Sequence, residues 1–301
     1  MHRGGGGGGH YSCACEVCSA MSGTLREGSA PTGPGMKSLW AYRFLILNFA
    51  RRDLKARFKG TALGWLWALA VPITTVIIYS VVFSLVFRAQ PPPMGNGEAG
   101  SYAVWLLVAL VPWGFFLNAM NLAPVTLLAS GSLIQKVFIP AYVPAVASSL
   151  AVLVQSGIEL AVVAMLLIVL GNVSATFLLL PIWILLFVAF TIALSTTVAI
   201  LNVYMRDLAQ LVSVVLQMLF FVTPILYPAS LIPEEWKGIP VRAIFELNPL
   251  ASFIGAERGL LYSLQVPSAS VWLTMLAWTS VSLIVLRWVY QRWGLDVSES
   301  I

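Results

Sequence analysis

The chain has 301 residues, 59% of them hydrophobic and only 10% charged, with a mean hydropathy of +0.89. A water-soluble domain carries about 25% charged residues, so this composition excludes one and suits about six membrane helices of ~20 residues each. The formal net charge of +5 gathers on segments expected in the cytoplasm, which is the positive-inside pattern and calls for no nucleic acid.

Residues 1–36 differ from the rest. Gly4 to Gly9 form a glycine run, and Ser, Thr, Pro and Gly fill most of 19–35, a composition without core-forming capacity. No apolar stretch of a signal peptide occurs in it. Cys13, Cys15 and Cys18, with His2 and His10, lie only in this tail. Their spacing is irregular for a metal site, so the tail is read as a disordered extension, with Met36 as the expected internal start. Downstream there is no cysteine for a disulfide and no histidine for a metalloenzyme or Ser/His hydrolase.

Residues 37–60 form one unit, a basic amphipathic helix at the cytoplasmic membrane surface. Trp40, Phe44, Leu47, Leu54 and Phe58 repeat at helical steps. Arg43, Arg51, Arg52, Lys55, Arg57 and Lys59 accompany them, after which no charge appears until Arg88. Such a segment is a surface anchor, with a docking face for a cytoplasmic partner as the functional alternative.

The unit 61–293 carries six predicted spans: 61–87, with a kink expected at Pro72, then 102–129, 141–170, 177–201, 211–227 and 270–290. Residues 90–101 and 171–176 are outside connections. Residues 130–140, with Lys136, and 202–210, with Arg206 and Asp207, lie inside; these last two are expected to form an ion pair holding the turn. The longest connection, 228–267, is outside and half apolar, and 253–264 suits a short helix dipping back into the outer leaflet. A cytoplasmic tail, 294–301, closes the chain. From Lys37 onward the inside segments hold eleven Lys/Arg and four Asp/Glu, against four and five outside, so both termini are placed in the cytoplasm. No half-chain repeat of the secondary-transporter kind is visible.

Few residues suggest chemistry. Glu159 is the one clearly intramembrane acid, without an apparent relay partner, and is read as structural rather than proton-coupling. Eleven tryptophans and many other aromatics cluster near span ends. An interfacial belt explains them, while rings lining a path for sugars is the alternative. No phosphate-binding loop and no paired carboxylates for glycoside chemistry occur. Any vectorial work must therefore draw on a separate energy source.

Five segments in order resemble the polysaccharide branch of ABC-2 type exporter permeases, which serve O-antigen, teichoic acid, capsule and galactan. They are ARRDLKARFKGTALGWLWALAVP (50–72), SLIQKVFIPAYVPA (132–145), NVYMRDLAQLV (202–212), FFVTPILYP (220–228), and LNPL (247–250) with ERGLL (257–261). The resemblance spans about 39–293. It implies an all-α, six-span polytopic permease with an N-terminal amphipathic interfacial helix and short extracytoplasmic gate helices before the last span, in the cytoplasmic (inner) membrane. It implies a homodimer partnered by a cytoplasmic ATPase that holds ATP and Mg, this chain carrying no cofactor or metal and having no catalytic residue of its own. The substrate implied is a polyprenyl-pyrophosphate-linked glycan. Contact with the ATPase falls on Arg51, Arg52, Asp53, Lys55, Arg57 and Lys136. Arg52, Arg57 and Lys136 are also candidates for the pyrophosphate, since guanidinium supplies bidentate charge-assisted donors; headgroup binding is their other role. Trp65, Tyr79, Phe83, Trp113, Phe116, Phe220 and Phe221 are candidates for lining a channel. A drug or small-lipid ABC-2 exporter, and a non-ABC lipid flippase or scaffold, are the alternatives.

Overall fold

The computed structural model describes residues 40–58, 66–86, 90–131, 139–235 and 240–294, with Arg88, Lys237, Gly238 and Val297 besides. The N-terminal tail, Lys59, Trp65 and Lys136 lie outside the described residues.

Among the described residues the fold is all helix and turn. The helices are α1 (Arg43–Phe58), α2 (Leu66–Ser80, continued by a π turn Val81–Val86), α3 (Tyr102–Ala129), α4 (Tyr142–Val169), α5 (Leu180–Tyr204, entered through a 3-10 turn Ala175–Leu179), α6 (Leu208–Val222), α7 (Val241–Glu246), α8 (Pro249–Leu261) and α9 (Ala269–Val289, ending in a π turn Tyr290–Gly294). Four segments are long and apolar enough to cross a membrane: Tyr102–Ala129, Tyr142–Val169, Ala175–Tyr204 and Ala269–Gly294. Ile73–Val86 and Leu208–Val222 are shorter apolar helices. A helix therefore stands at each predicted span.

Helix ends have local causes. The expected fifth span stops early, at Val222, because Thr223 precedes Pro224 and takes an extended ψ of 133°, the conformation a following proline imposes. The short helix expected at 253–264 begins earlier, at Pro249. Asn248 caps it, its side chain accepting from Leu250 N, and Pro249 at N1 loses no bond. After α4, Gly171 adopts φ 70°. Gly171 N donates to Ile168 O and Asn172 N to Leu167 O. This Schellman cap delivers the Asn172 side chain to the far end of the bundle.

α3 is apolar all round and buried along most of its length, as a central helix must be. α4 and α5 flank it, α9 packs on α5, α2 and α6 on α3, and α1 along α4. Small residues on the first half of α4 (Ala145, Ala147, Ser148, Ser149, Ala151) are all buried, so backbones approach closely. There Ser149 Oγ and Ser195 Oγ of α5 share a 3.0 Å hydrogen bond.

Two apolar clusters mark the two ends. One joins α3, α5 and α8 through Trp105, Phe115, Phe116, Phe187, Phe190 and Phe253. The other joins α1 to α3, α4, α5 and α9 through Ile46, Phe49, Leu127, Tyr142, Ile200 and Val289. The apolar stripe expected to anchor α1 is thus not the one it packs with: Trp40, Phe44 and Leu47 are exposed, while Ile46, Phe49 and Ala50 face the bundle.

Candidate functional site

A groove of about 650 Å³ opens between α2, α3, α4 and α6. Trp113, Phe220 and Tyr79 form its aromatic wall, with ring centroids 5.4 Å (Trp113–Phe220) and 6.1 Å (Tyr79–Phe220) apart, and Phe221 stands edge-on to Phe220 at 5.4 Å. Helical spacing explains the wall: Phe220 and Phe221 lie one turn beyond Leu216 and Gln217 on α6, and all four line the groove. On α3, Gly114 leaves open space where a Cβ would stand, and Asn118, one turn later, donates to Gly114 O at 2.8 Å.

The groove brings together Tyr79, Trp113, Phe220 and Phe221 of the expected channel aromatics and adds Trp67. Two others lie elsewhere. Phe116 is buried between α3 and α5, stacked on Phe190 at 6.1 Å; it is one turn-step from Trp113 and faces the core. Phe83 stacks on Tyr102 at 5.6 Å, beyond the groove's end.

The polar side chains Asn118, Gln155, Glu159 and Gln217 also line the groove. Glu159 is not alone. Gln155 Nε2, one turn earlier, donates to Glu159 Oε1 at 3.2 Å, and Arg57 of α1 donates to Gln155 Oε1 at 3.5 Å. Tyr42 packs on Tyr142 at the start of α4, so α1 and α4 run side by side in the same direction over about 20 Å. That alignment carries Arg57 to the groove. Burial pulls the Arg57 pKa down and Asp53 opposes it; the guanidinium stays charged. Asn118, Gln155 and Gln217 were missed in the sequence, although amides on the aromatic face of an apolar helix are a usable signal.

Other expected site residues fall on the exposed side of α1. Arg52 pairs with Asp53 at 3.1 Å and lies over Phe49 at 4.6 Å; Arg51 and Lys55 are exposed. Arg206 and Asp207 are exposed, and among the described residues no ion pair joins them. Their turn is held by Asn202, whose Nδ2 donates to Pro124 O at 3.0 Å and whose Oδ1 accepts from Ala209 N at 3.1 Å.

At the opposite end from α1, α8 is clamped from several sides. Asn172 Nδ2 donates to Leu261 O and Tyr262 O, Thr176 to Leu260 O, and Trp183 Nε1 to Phe253 O. Arg258 donates to Pro224 O and Ile225 O, and its guanidinium lies 3.6 Å from the Trp105 ring centre, a cation–π contact. Beside it Glu257 is fully buried, and neither carboxylate oxygen has a partner among the described residues. Burial pushes its pKa well above the usual range, with Arg258 opposing.

Residues 45–262 match the family model described as ABC-2 type transporter. The chain belongs to the ABC-2 type transporter family. Within it, the chain is 28% identical over 271 residues to the O-antigen export system permease protein RfbA of Myxococcus xanthus, covering 88% of this chain and 98% of that one. Two proteins named O-antigen export system permease protein RfbA from Klebsiella pneumoniae are each 31% identical over 228 residues, covering 75% of this chain and 83% of theirs. The matched region of this ABC-2 chain takes in all of the groove and α8.

Proposed function

We propose that this chain is the transmembrane subunit of an ATP-driven ABC exporter that carries a polyprenyl-pyrophosphate-linked polysaccharide across the cytoplasmic membrane. The groove carries the reading: aromatic faces interleaved with amides suit a sugar chain, which presents apolar ring faces and hydroxyl edges together. Relatives named for O-antigen export support the same substrate class.

In this reading α2 and α6 are the first and fifth of six spans, both termini are cytoplasmic, and α7 and α8 are gate helices on the outer side. Two copies face each other across their grooves to enclose the path. ATP and Mg belong to a separate cytoplasmic subunit. Its motion enters through the exposed cations of α1, with Asp53, and through the loop bearing Lys136. Arg57 continues inward through Gln155 to Glu159, so movement of α1 alters the polar floor of the groove. Arg52, Arg57 and Lys136 serve the pyrophosphate at the cytoplasmic mouth.

The test is depletion of the chain in its host. Lipid-linked glycan should build up in the inner leaflet with a matching loss at the surface. Intact surface glycan without build-up would discard the polysaccharide and leave a drug or small-lipid exporter.

A further inference from the structure

A second cavity, about 780 Å³, lies at the end of the bundle away from α1, between α7, α8, the start of α9 and the turn after α6. Its size falls within the ~300–1,000 Å³ of small-ligand clefts. It shares no lining residue with the groove, and its chemistry is different. Beside Trp105 and Phe245, this cup presents serine hydroxyls, a side-chain amide and an ion pair, where the groove sets amides and Glu159 against a longer run of rings.

Arg242 Nε meets Glu246 Oε1 at 3.1 Å, which sets a planar donor beside a planar acceptor on one wall. Elsewhere on the lining, Ser270 shares one hydrogen with Ser268 at 2.8 Å, so one hydroxyl hydrogen of that pair remains to be given. The Gln265 side-chain amide and the Ser252 hydroxyl line the cup and make no hydrogen bond among the described residues. The floor is the small-residue face of α8, and a Cβ at Gly255 would stand in open space. Beneath it, Arg258 is held on Trp105 and on the Pro224 and Ile225 carbonyls, so the floor is braced.

Sugars are recognised by side chains that donate and accept at fixed angles, because each hydroxyl does both. We propose that this cup is a second glycan-binding site, which holds the hydroxyl-rich chain as it leaves the groove. The proposal rests on the export reading. A groove of ring faces lets a chain slide in either direction; a polar holding point beyond it opposes slipping back.

The test uses the full chain in lipid nanodiscs and, as probe, the host's surface polysaccharide freed of its lipid by mild acid. Wild type should bind it saturably, and so should Leu185→Ala, an exposed position on α5 outside both the groove and the cup. Gly255→Trp, which fills the cup from its floor, should weaken binding by about tenfold or more. Should Gly255→Trp fail to fold, Ser252→Ala with Gln265→Ala removes the polar groups without adding bulk, and the same weakening is expected. Binding unchanged in Gly255→Trp or in the double variant, or no binding by wild type, would each overturn the cup. If surface glycan disappears on depletion while Gly255→Trp binds normally, export stands and the cup falls. If surface glycan survives depletion, the export reading itself falls.

Discussion

Asn172 has no exposed surface, and its one amide joins three segments: Asn96 N donates to its Oδ1, while its Nδ2 donates to Leu261 O and Tyr262 O. Replacing it by alanine leaves Leu261 O and Asn96 N unpaired, while Tyr262 O keeps its bond from Gly95 N, at about 1–3 kcal/mol for each buried group left unsatisfied. Asn172→Ala should therefore melt several degrees below wild type in detergent; an unchanged melting temperature would mean that water replaces the amide. Glu257 gives a pH prediction. Its pKa in the folded chain lies above that of the unfolded chain. Its contribution to stability is then full below about 4.3, the unfolded value, and is lost as pH rises toward the folded value. Wild type should melt lower at about pH 8 than at about pH 5, and Glu257→Gln should narrow that gap. An identical gap in both proteins would show the buried carboxyl to be paired. Asn172 sat in an ordinary turn, because what it meets comes from segments 70 or more positions away. Glu257 was placed in a short helix and in the ERGLL segment, but nothing there marked its burial.

At the scale of elements, the places of the helices were legible, their ends and faces less so. The expected ends at 227 and 253 passed over Thr223–Pro224, which stops α6, and the Asn248–Pro249 cap, which starts α8. For α1 the periodicity marked Trp40, Phe44 and Leu47, yet these are exposed and Ile46 and Phe49 pack on the bundle. A helix with apolar residues on two sides does not declare which side meets protein and which meets lipid. The expected channel aromatics divide for the same reason: Trp113 and Phe116 are close on α3, but one lines the groove and the other fills the core. Coupling belongs to this scale. Arg52→Glu with Arg57→Glu should insert normally while lipid-linked glycan accumulates inside; normal surface glycan in that double variant would remove α1 from the coupling path. Gln155→Leu breaks both contacts of the Arg57–Gln155–Glu159 link and should reduce export without changing the amount of protein in the membrane, as measured by surface glycan per permease.

For the whole molecule, the groove is open on one side, and Phe221 and Met218 on its α6 rim are exposed. Exposure to lipid is no liability for apolar residues, so exposure alone does not dictate a partner. The proposed dimer does make a direct prediction. The three cysteines, Cys13, Cys15 and Cys18, lie in the N-terminal tail. In a background with these replaced by serine, Phe221→Cys should give a disulfide-linked dimer under mild oxidation in membranes. Exclusively monomeric protein would place the groove away from any two-fold contact.

Composition and order by themselves determined that this chain is a helical membrane protein, where its helices run, and which family it belongs to. Those properties follow from transfer of apolar residues out of water and from short motifs, both of which are local in the chain. Only the tertiary structure decided that Glu159 is linked through Gln155 to Arg57, that four of the aromatics share a wall with three amides, and that α8 is fastened to the end of α6. Each of these is a meeting of side chains from distant segments. Such meetings depend on the rotation and depth at which apolar helices pack, and lipid-like surfaces on every side leave that choice to small residues and a few polar contacts.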